Sequence, residues 1–511
     1  MNLPTAIPAA VTAPAPATSA RPTAGIALIA AAAVAVELAV SARYGYQRDE
    51  LYFLSAGHHL TFGYVDQPAL TPLLARLAAA VSGNSLIGLR VLPALALGVL
   101  VVLTAAISRR LGAGRAGQLL AALATATCAE YLGAMHLLTT TVPDMVAWAV
   151  LLYLVMRLLA SQDPRWWLAV GGTAGIAADA KWNVAFLLAA LLAGFLLTPA
   201  RGLLKSRYLL AGAVIAAVLG SPDVIWQAMH GWPNLAVFHA LQGDAGHNRM
   251  TYWIAQIVYT GVAISPVWVA GLVWSLRSEA CRRFRPLALA SVIAVVLAFV
   301  LGGKPYYSGA VYVFLIAAGS VPLERWLAAR RPLRGRLSGP AGMAVTLVIS
   351  GAIGALVALP VLPAATLHTF PLQKINYDLG ETIAWPRLVA LVSREYHALP
   401  AQEQRHTTIL AGNYGEAGAI ERYGAQYGLP TAYSGANNFW LWGPPPAADT
   451  SAIAINLDES FLRTEFAHVK LVATFTNGIG VDDDEQGTQV FAVSGLRSPW
   501  RTAWPAFRHY S

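Results

Sequence analysis

Long apolar runs dominate this chain, and they constrain its fold more than any other feature. A helix that crosses a bilayer needs about 20 mainly apolar residues. On that test the sequence predicts eleven spans, some short: 24–41, 88–107, 117–134, 143–160, 166–180, 183–198, 208–226, 252–276, 286–302, 307–322 and 341–362. Only 12% of the 511 residues are charged, whereas soluble domains carry about 25%. Most of the surface therefore faces something other than water. The net charge of +9 does not point to nucleic acid, because the arginines sit in short loops between apolar runs.

Those loops set an orientation. One set holds Arg109, Arg110, Arg115, Arg157, Arg165, Arg201, Lys205, Arg207, Arg277, Arg282, Arg283, Arg285, Arg325, Arg330, Arg331, Arg334 and Arg336. The opposite loops hold Arg43, Arg48, Arg76, Arg90, Lys181, Arg249 and Lys304. The first set is expected to be cytoplasmic, with the N-terminus inside and the C-terminus outside the cell membrane. Residues 1–23, rich in Ala, Pro and Thr, read as a disordered cytoplasmic tail. A transmembrane domain follows at 24–362, with a long first outer loop at 42–87. In that loop LTPLLARLAAAV has the spacing of an interfacial helix. Charge, Asn and Gly return after 362, so 363–511 reads as an extracytoplasmic α/β domain. Its strands are HTTILAG, SAIAINL, VKLVATF and TQVFAVS, and NYGEAGAIERYGAQYG is a turn then a helix. The fold class is thus an all-α polytopic membrane domain followed by a small soluble α/β domain. Cys128 and Cys281 form no CxxC and read as structural thiols.

The residues able to do chemistry emerge at the outer span ends, which suggests a site there. Asp49–Glu50 lies just past the first span among tyrosines, where a carboxylate can act as a general base. Ordinary interfacial polarity is the alternative. Asp66 follows in YVDQP, and Asp144 opens a later span in VPDMVAW, where a helix cap is the alternative. Lys181 lies in ADAKWN, His230 in IWQAMHGWPN, His247 in DAGHNR and Lys304 in GGKPYY, next to Tyr306. In the tail, Asn413 opens a Gly-rich turn whose N–H groups can meet an anion or a hydroxyl, a plain tight turn being the alternative. Asn437, Asn438, Trp440 and Trp442 make an aromatic-amide cluster that suits a sugar, with a generic surface loop as the alternative. No Walker loop and no GxGxxG after a strand is present.

The motifs RDELYFL, YVDQPALTPLL, TTVPDMVAW, AKWN, IWQAMHGWPN and GKPYYSG resemble, in order, the bacterial protein O-mannosyltransferase-like glycosyltransferases. That group includes the aminoarabinose transferases of lipid A. The likeness spans about the first 360 residues, and AGNYGEAGAIERYG, YSGANNFWLWGPP and SPWRTAWPAFRHY resemble that branch's outer domain. The resemblance implies a C-type glycosyltransferase fold that moves a sugar, with inversion, from a polyprenyl-phosphate carrier to an acceptor hydroxyl. The acceptor is a glycan, lipid or protein. It implies Asp49 as general base, Glu50 as its partner and Asp144 as the second acidic position. Asp66–Gln67–Pro68 stands where relatives often have Glu-Lys-Pro. A phosphate contact that relatives make there would pass to Lys304, with Lys181 as a second cation. His230 or His247 matches a histidine that helps hold a metal in some relatives, so a divalent cation is the candidate cofactor. The sequence does not choose between the two histidines. A lipid-linked sugar flippase is the rival function, favoured by Glu37 and Asp179, and a binding scaffold is a third.

Overall fold

The computed structural model describes residues 23–329 and 339–510. The expected tail, apart from Thr23, and the arginines at 330, 331, 334 and 336 lie outside the described residues.

Among the described residues, seven helices are long and apolar enough to cross a membrane: Thr23–Val40, Leu86–Arg110, Thr141–Ser161, Arg207–Met229, Glu279–Val300, Pro305–Ala329 and Pro340–Ala358. Two bent pairs raise the number to nine. Val184–Leu196 turns by 115° into Pro199–Lys205, and Pro233–Thr260 turns by 103° into Ser265–Arg277. The remaining two of the eleven expected spans are shorter. Residues 117–134 form Arg115–Ala126 and Ala129–Ala134, broken where Cys128 goes extended. Residues 166–180 form the 13-residue helix Trp166–Ala178. Hydropathy measures how apolar a stretch is, and it does not register a break between two helical pieces.

Small residues draw these helices together, as expected where lipid removes the hydrophobic driving force between them. A Cβ on Gly171 would come 2.0 Å from the carbonyl of Gly212, and one on Gly271 would come 2.0 Å from that of Leu315. The Trp166–Ala178 helix thereby lies directly on Arg207–Met229, and Ser265–Arg277 on the Tyr312–Ala329 helix. The main core lies between the spans, around Trp148, Phe195, Phe314 and Tyr312.

The stretch after the first span folds as two helices, Arg48–His58 and Leu70–Ser82. Residues 407–496 supply one five-stranded sheet of order β2-β1-β3-β5-β4. Its strands are β1 (Thr407–Ala411), β2 (Ala432–Ser434), β3 (Ser451–Ile455), β4 (Phe466–Thr474) and β5 (Gln489–Leu496). The first three run parallel, and β5 is antiparallel to β3 and β4. Four strands are those expected from the sequence. The fifth, β2, is three residues long and too short to show a pattern.

A second core joins this sheet to the first-loop helices. Leu51, Tyr52, Phe53 and Ala75 pack with Trp385, Tyr414, Ala417 and Ile453. Gly418 makes the approach close, since a Cβ there would meet the backbone of Leu51 at 2.9 Å. The sheet domain is therefore fastened to the end of the bundle that carries residues 42–87.

Candidate active site at the capped end of the bundle

Asp49 stands in the first turn of the Arg48–His58 helix, which its neighbours start firmly. The Gln47 side chain accepts from the Asp49 N–H at 2.6 Å, and the Gln47 N–H donates to Glu50 at 3.0 Å. This reciprocal cap leaves the Asp49 carboxylate half-buried and outside the cap. Its Oδ1 accepts from the hydroxyl of Tyr414 at 2.9 Å, across 365 positions of sequence.

Glu50 points elsewhere. It is fully buried, and Arg90 reaches it twice, Nε to Oε1 at 3.0 Å and Nη2 to Oε2 at 2.7 Å. The Leu138 N–H donates to Oε1 at 3.1 Å. With every lone-pair direction occupied, this carboxylate has no room for an acceptor. Glu50 thus serves the buried network and closes the cap that seats Asp49. Arg90 also donates to the carbonyls of Ser41 and Gly45, and it faces His136, whose other ring nitrogen meets Glu37 at 3.0 Å. Glu37 is thus part of this buried network.

Asp144 opens the Thr141–Ser161 helix, buried, with Oδ2 accepting from Asn183 at 2.9 Å. The same Asn183 amide donates to the carbonyl of Tyr307 at 2.9 Å. Lys181, two residues before Asn183, lies over the rings of Tyr307 at 4.5 Å and Tyr306 at 5.6 Å. Burial pushes its pKa down, while the charges of Asp144 and then Asp49 hold it up. The charges of both carboxylates thus act on one ammonium.

Lys304 precedes the turn that carries Tyr306 and Tyr307. Its charge acts on Tyr307 and on Asp378. Burial raises Asp378 to about 6, helped by the Asp49 charge and opposed by Lys304, Arg48 and a 3.3 Å bond from Gln47. A small cavity lined by Tyr44, Arg90, His136, Asn376, Asp378 and Thr382 opens beside it. Asp66 accepts from Tyr52 at 2.8 Å, and burial lifts it to about 7 with a further push from Asp49. Gln67 is buried with neither amide atom paired among the described residues.

Several expected residues lie apart. Asn413 caps the Tyr414–Tyr423 helix, with its carbonyl taking the Glu416 N–H and its amide donating to Glu485. Trp440 exchanges hydrogen bonds with Trp504 at 3.0 Å inside the sheet domain. Asn438, by contrast, reaches the first loop and accepts from the Val65 N–H at 2.6 Å. Trp442 stacks on His59 at 4.4 Å. His230 stacks on Trp226 at 4.0 Å and faces its carbonyl, while His247 is exposed. Among the described residues no three His, Cys, Asp or Glu side chains lie together as a metal would require. The geometry gives the histidine-metal expectation no support.

Three residues of the cluster were not singled out from the sequence. Tyr414 lies inside NYGEAG, where the glycines drew attention instead. Arg90 reads as one more loop cation, and Asp378 follows the last span in a linker with no motif.

The raised carboxyls give a stability prediction. Asp66 at about 7 and Glu381, lifted by burial to about 8, both sit above the unfolded range near 4. The folded state therefore holds protons that the unfolded chain releases. This contribution is complete below about pH 4 and is lost as pH rises through 7 and 8. Thermal unfolding in detergent should occur on the order of 5 °C higher at pH 5.5 than at pH 8. Asp66→Asn should remove part of that slope. A flat or reversed profile contradicts the assignment.

Residues 66–226 match the family model for dolichyl-phosphate-mannose-protein mannosyltransferase. No curated protein matches the sequence. Among solved structures, ArnT from Cupriavidus metallidurans bound to undecaprenyl phosphate is 15% identical with a TM-score of 0.58, over 92% of this chain and 98% of that one. The apo form of the same protein gives 0.57 at the same identity and coverage. An oligosaccharyltransferase of Archaeoglobus fulgidus, 14% identical over 78% of this chain and 62% of its own, reaches only 0.43. The fold is that of the solved ArnT. Residues 66–226 are similar in sequence to the dolichyl-phosphate-mannose-protein mannosyltransferases.

Proposed function

We propose that this protein transfers a sugar from a polyprenyl-phosphate donor to an acceptor hydroxyl, outside the cytoplasmic membrane and with inversion. The observation that carries the reading is that Asp144 and Lys181 are joined through Asn183 and Tyr307, while Asp49 stands free of its helix cap and takes a bond from Tyr414. The solved ArnT that shares this fold was bound to undecaprenyl phosphate, which favours a lipid-linked donor here.

In the proposed reaction the acceptor oxygen attacks the anomeric carbon while Asp49 takes its proton. The bond from that carbon to the phosphate oxygen breaks, and polyprenyl phosphate leaves with the electron pair. Negative charge grows on the phosphate in the transition state, and Lys181 and Lys304 are the cations placed to meet it. Attack from the face opposite the phosphate inverts the anomeric centre. The excess of arginine in the opposite loops supports an extracytoplasmic site, and residues 363–511 would form a domain capping it on that side. Asp144 holds Asn183 and, through its charge, Lys181, so it sets the phosphate-binding group.

The test is sugar transfer by purified protein from a panel of polyprenyl-phosphate hexoses and pentoses. Lys181→Ala should lower kcat/KM for the accepted donor by roughly 10²-fold. An unchanged value removes Lys181 from donor recognition. Movement of lipid-linked sugar across vesicles with no transfer, surviving Asp49→Asn, would favour the flippase reading instead.

A further inference from the structure

The sheet domain has a topology that ordinarily marks a ligand crevice. From β1 the chain passes to β2 on one side and β3 lies on the other, and ligands of open α/β sheets bind at the carboxyl ends of such a switch point. Here that crevice is filled from within. A Cβ on Gly412 would come 2.2 Å from the carbonyl of Asn456. Glu416 takes the N–H groups of Gly412 and Asn413 at 2.8 and 3.1 Å, and His509 Nε2 meets the Gly412 carbonyl at 2.7 Å. The N–H groups of Gly412, Asn413 and Glu416 are thus taken by side chains of the same turn.

What the turn after β1 does present is Tyr414. Its hydroxyl donates to Asp49 at 2.9 Å, its ring lies 4.8 Å from that of Tyr52, and the Arg48 guanidinium sits 5.6 Å over its face. The ring is buried among groups of the first loop. Burial and the charge of Asp49 hold the phenol protonated, so it remains a donor.

We propose that Tyr414 is a positioning residue for Asp49, and that through it the sheet domain completes the catalytic site. The inference rests on Asp49 acting as the base. A single bond from Tyr414 fixes Oδ1 and leaves Oδ2 to face the acceptor. The Asn413 cap and the Glu416 clamp hold the helix start from which Tyr414 reaches.

Tyr414→Phe keeps the ring, its contact with Tyr52 and the cation above it, and removes only the donor. With the full-length protein, kcat should fall roughly 10- to 100-fold, the range for loss of a hydrogen bond to a charged group, with donor KM changed less than threefold. In the Asp49→Asn background the same change should cost no further activity, because orienting a group that cannot take a proton no longer affects the rate. A purely structural tyrosine would instead lower the melting temperature and add its loss in both backgrounds. Asn413→Ala, which loosens the helix start, should lower kcat in the same direction, and Asn413→Ser, another good cap, should restore it. Full activity in Tyr414→Phe, with Asp49→Asn inactive, overturns this inference and leaves the reaction intact. Absence of transfer by the wild type overturns both.

Discussion

Asp49→Asn is expected to lower kcat by about 10³-fold, within the 10²- to 10⁴-fold span that positioned general bases contribute. The substitution is nearly isosteric. An asparagine Oδ1 still accepts from Tyr414, and the backbone N–H still donates to Gln47, so the two contacts seen at 2.9 and 2.6 Å survive. What disappears is the ability to take a proton from the acceptor. Donor KM should move little, since the cations proposed to meet the phosphate, Lys181 and Lys304, come from other parts of the chain. The measurement is steady-state transfer by the detergent-purified variant, alongside its melting temperature. Activity within threefold of wild type would remove Asp49 as the base.

The second large effect falls on a residue that touches no substrate. Arg90→Met is expected to destabilise the protein by about 3–5 kcal/mol, the cost of stranding a buried charge. Glu50 is fully buried and Arg90 is 1% exposed. Removing the guanidinium leaves Glu50 with only the N–H groups of Gln47 and Leu138. It also frees the carbonyls of Ser41 and Gly45. Because Glu50 closes the cap that seats Asp49, activity should fall further than the loss of folded protein explains. Adding Glu50→Gln to Arg90→Met should recover part of the stability, since a neutral amide tolerates the same pocket. Unfolding in a denaturant or by heat measures both variants. A double variant no more stable than Arg90→Met would show that the pair is not what holds this corner.

Charge pairs of this kind were hard to see in one dimension. Glu50 was read together with Asp49 because they are adjacent, yet successive residues at a helix start point in different directions. One carboxylate faces Tyr414 and the other faces Arg90, 40 positions away. The Asn413 turn was read through its glycines as an anion site, whereas its tyrosine is the part that reaches Asp49. Trp440 carried the right chemistry for a sugar, but its indole is engaged with Trp504. Asp378 had no motif to mark it, and it becomes notable only because Gln47, Asp49, Arg48 and Lys304 surround it.

The sequence alone determined that the chain is a bundle of apolar helices followed by a small α/β domain. It also determined which acids and lysines stand at the span ends. Those properties are local, since hydropathy over one helix length and alternation over one strand need no partner elsewhere. Tertiary structure decided which helices break, which carboxylate is pinned and which faces the site, and that Tyr414 meets Asp49. Each of these depends on contacts between stretches tens to hundreds of residues apart. A side chain's neighbours there are set by how helices and sheet pack, a property that no window along the chain contains.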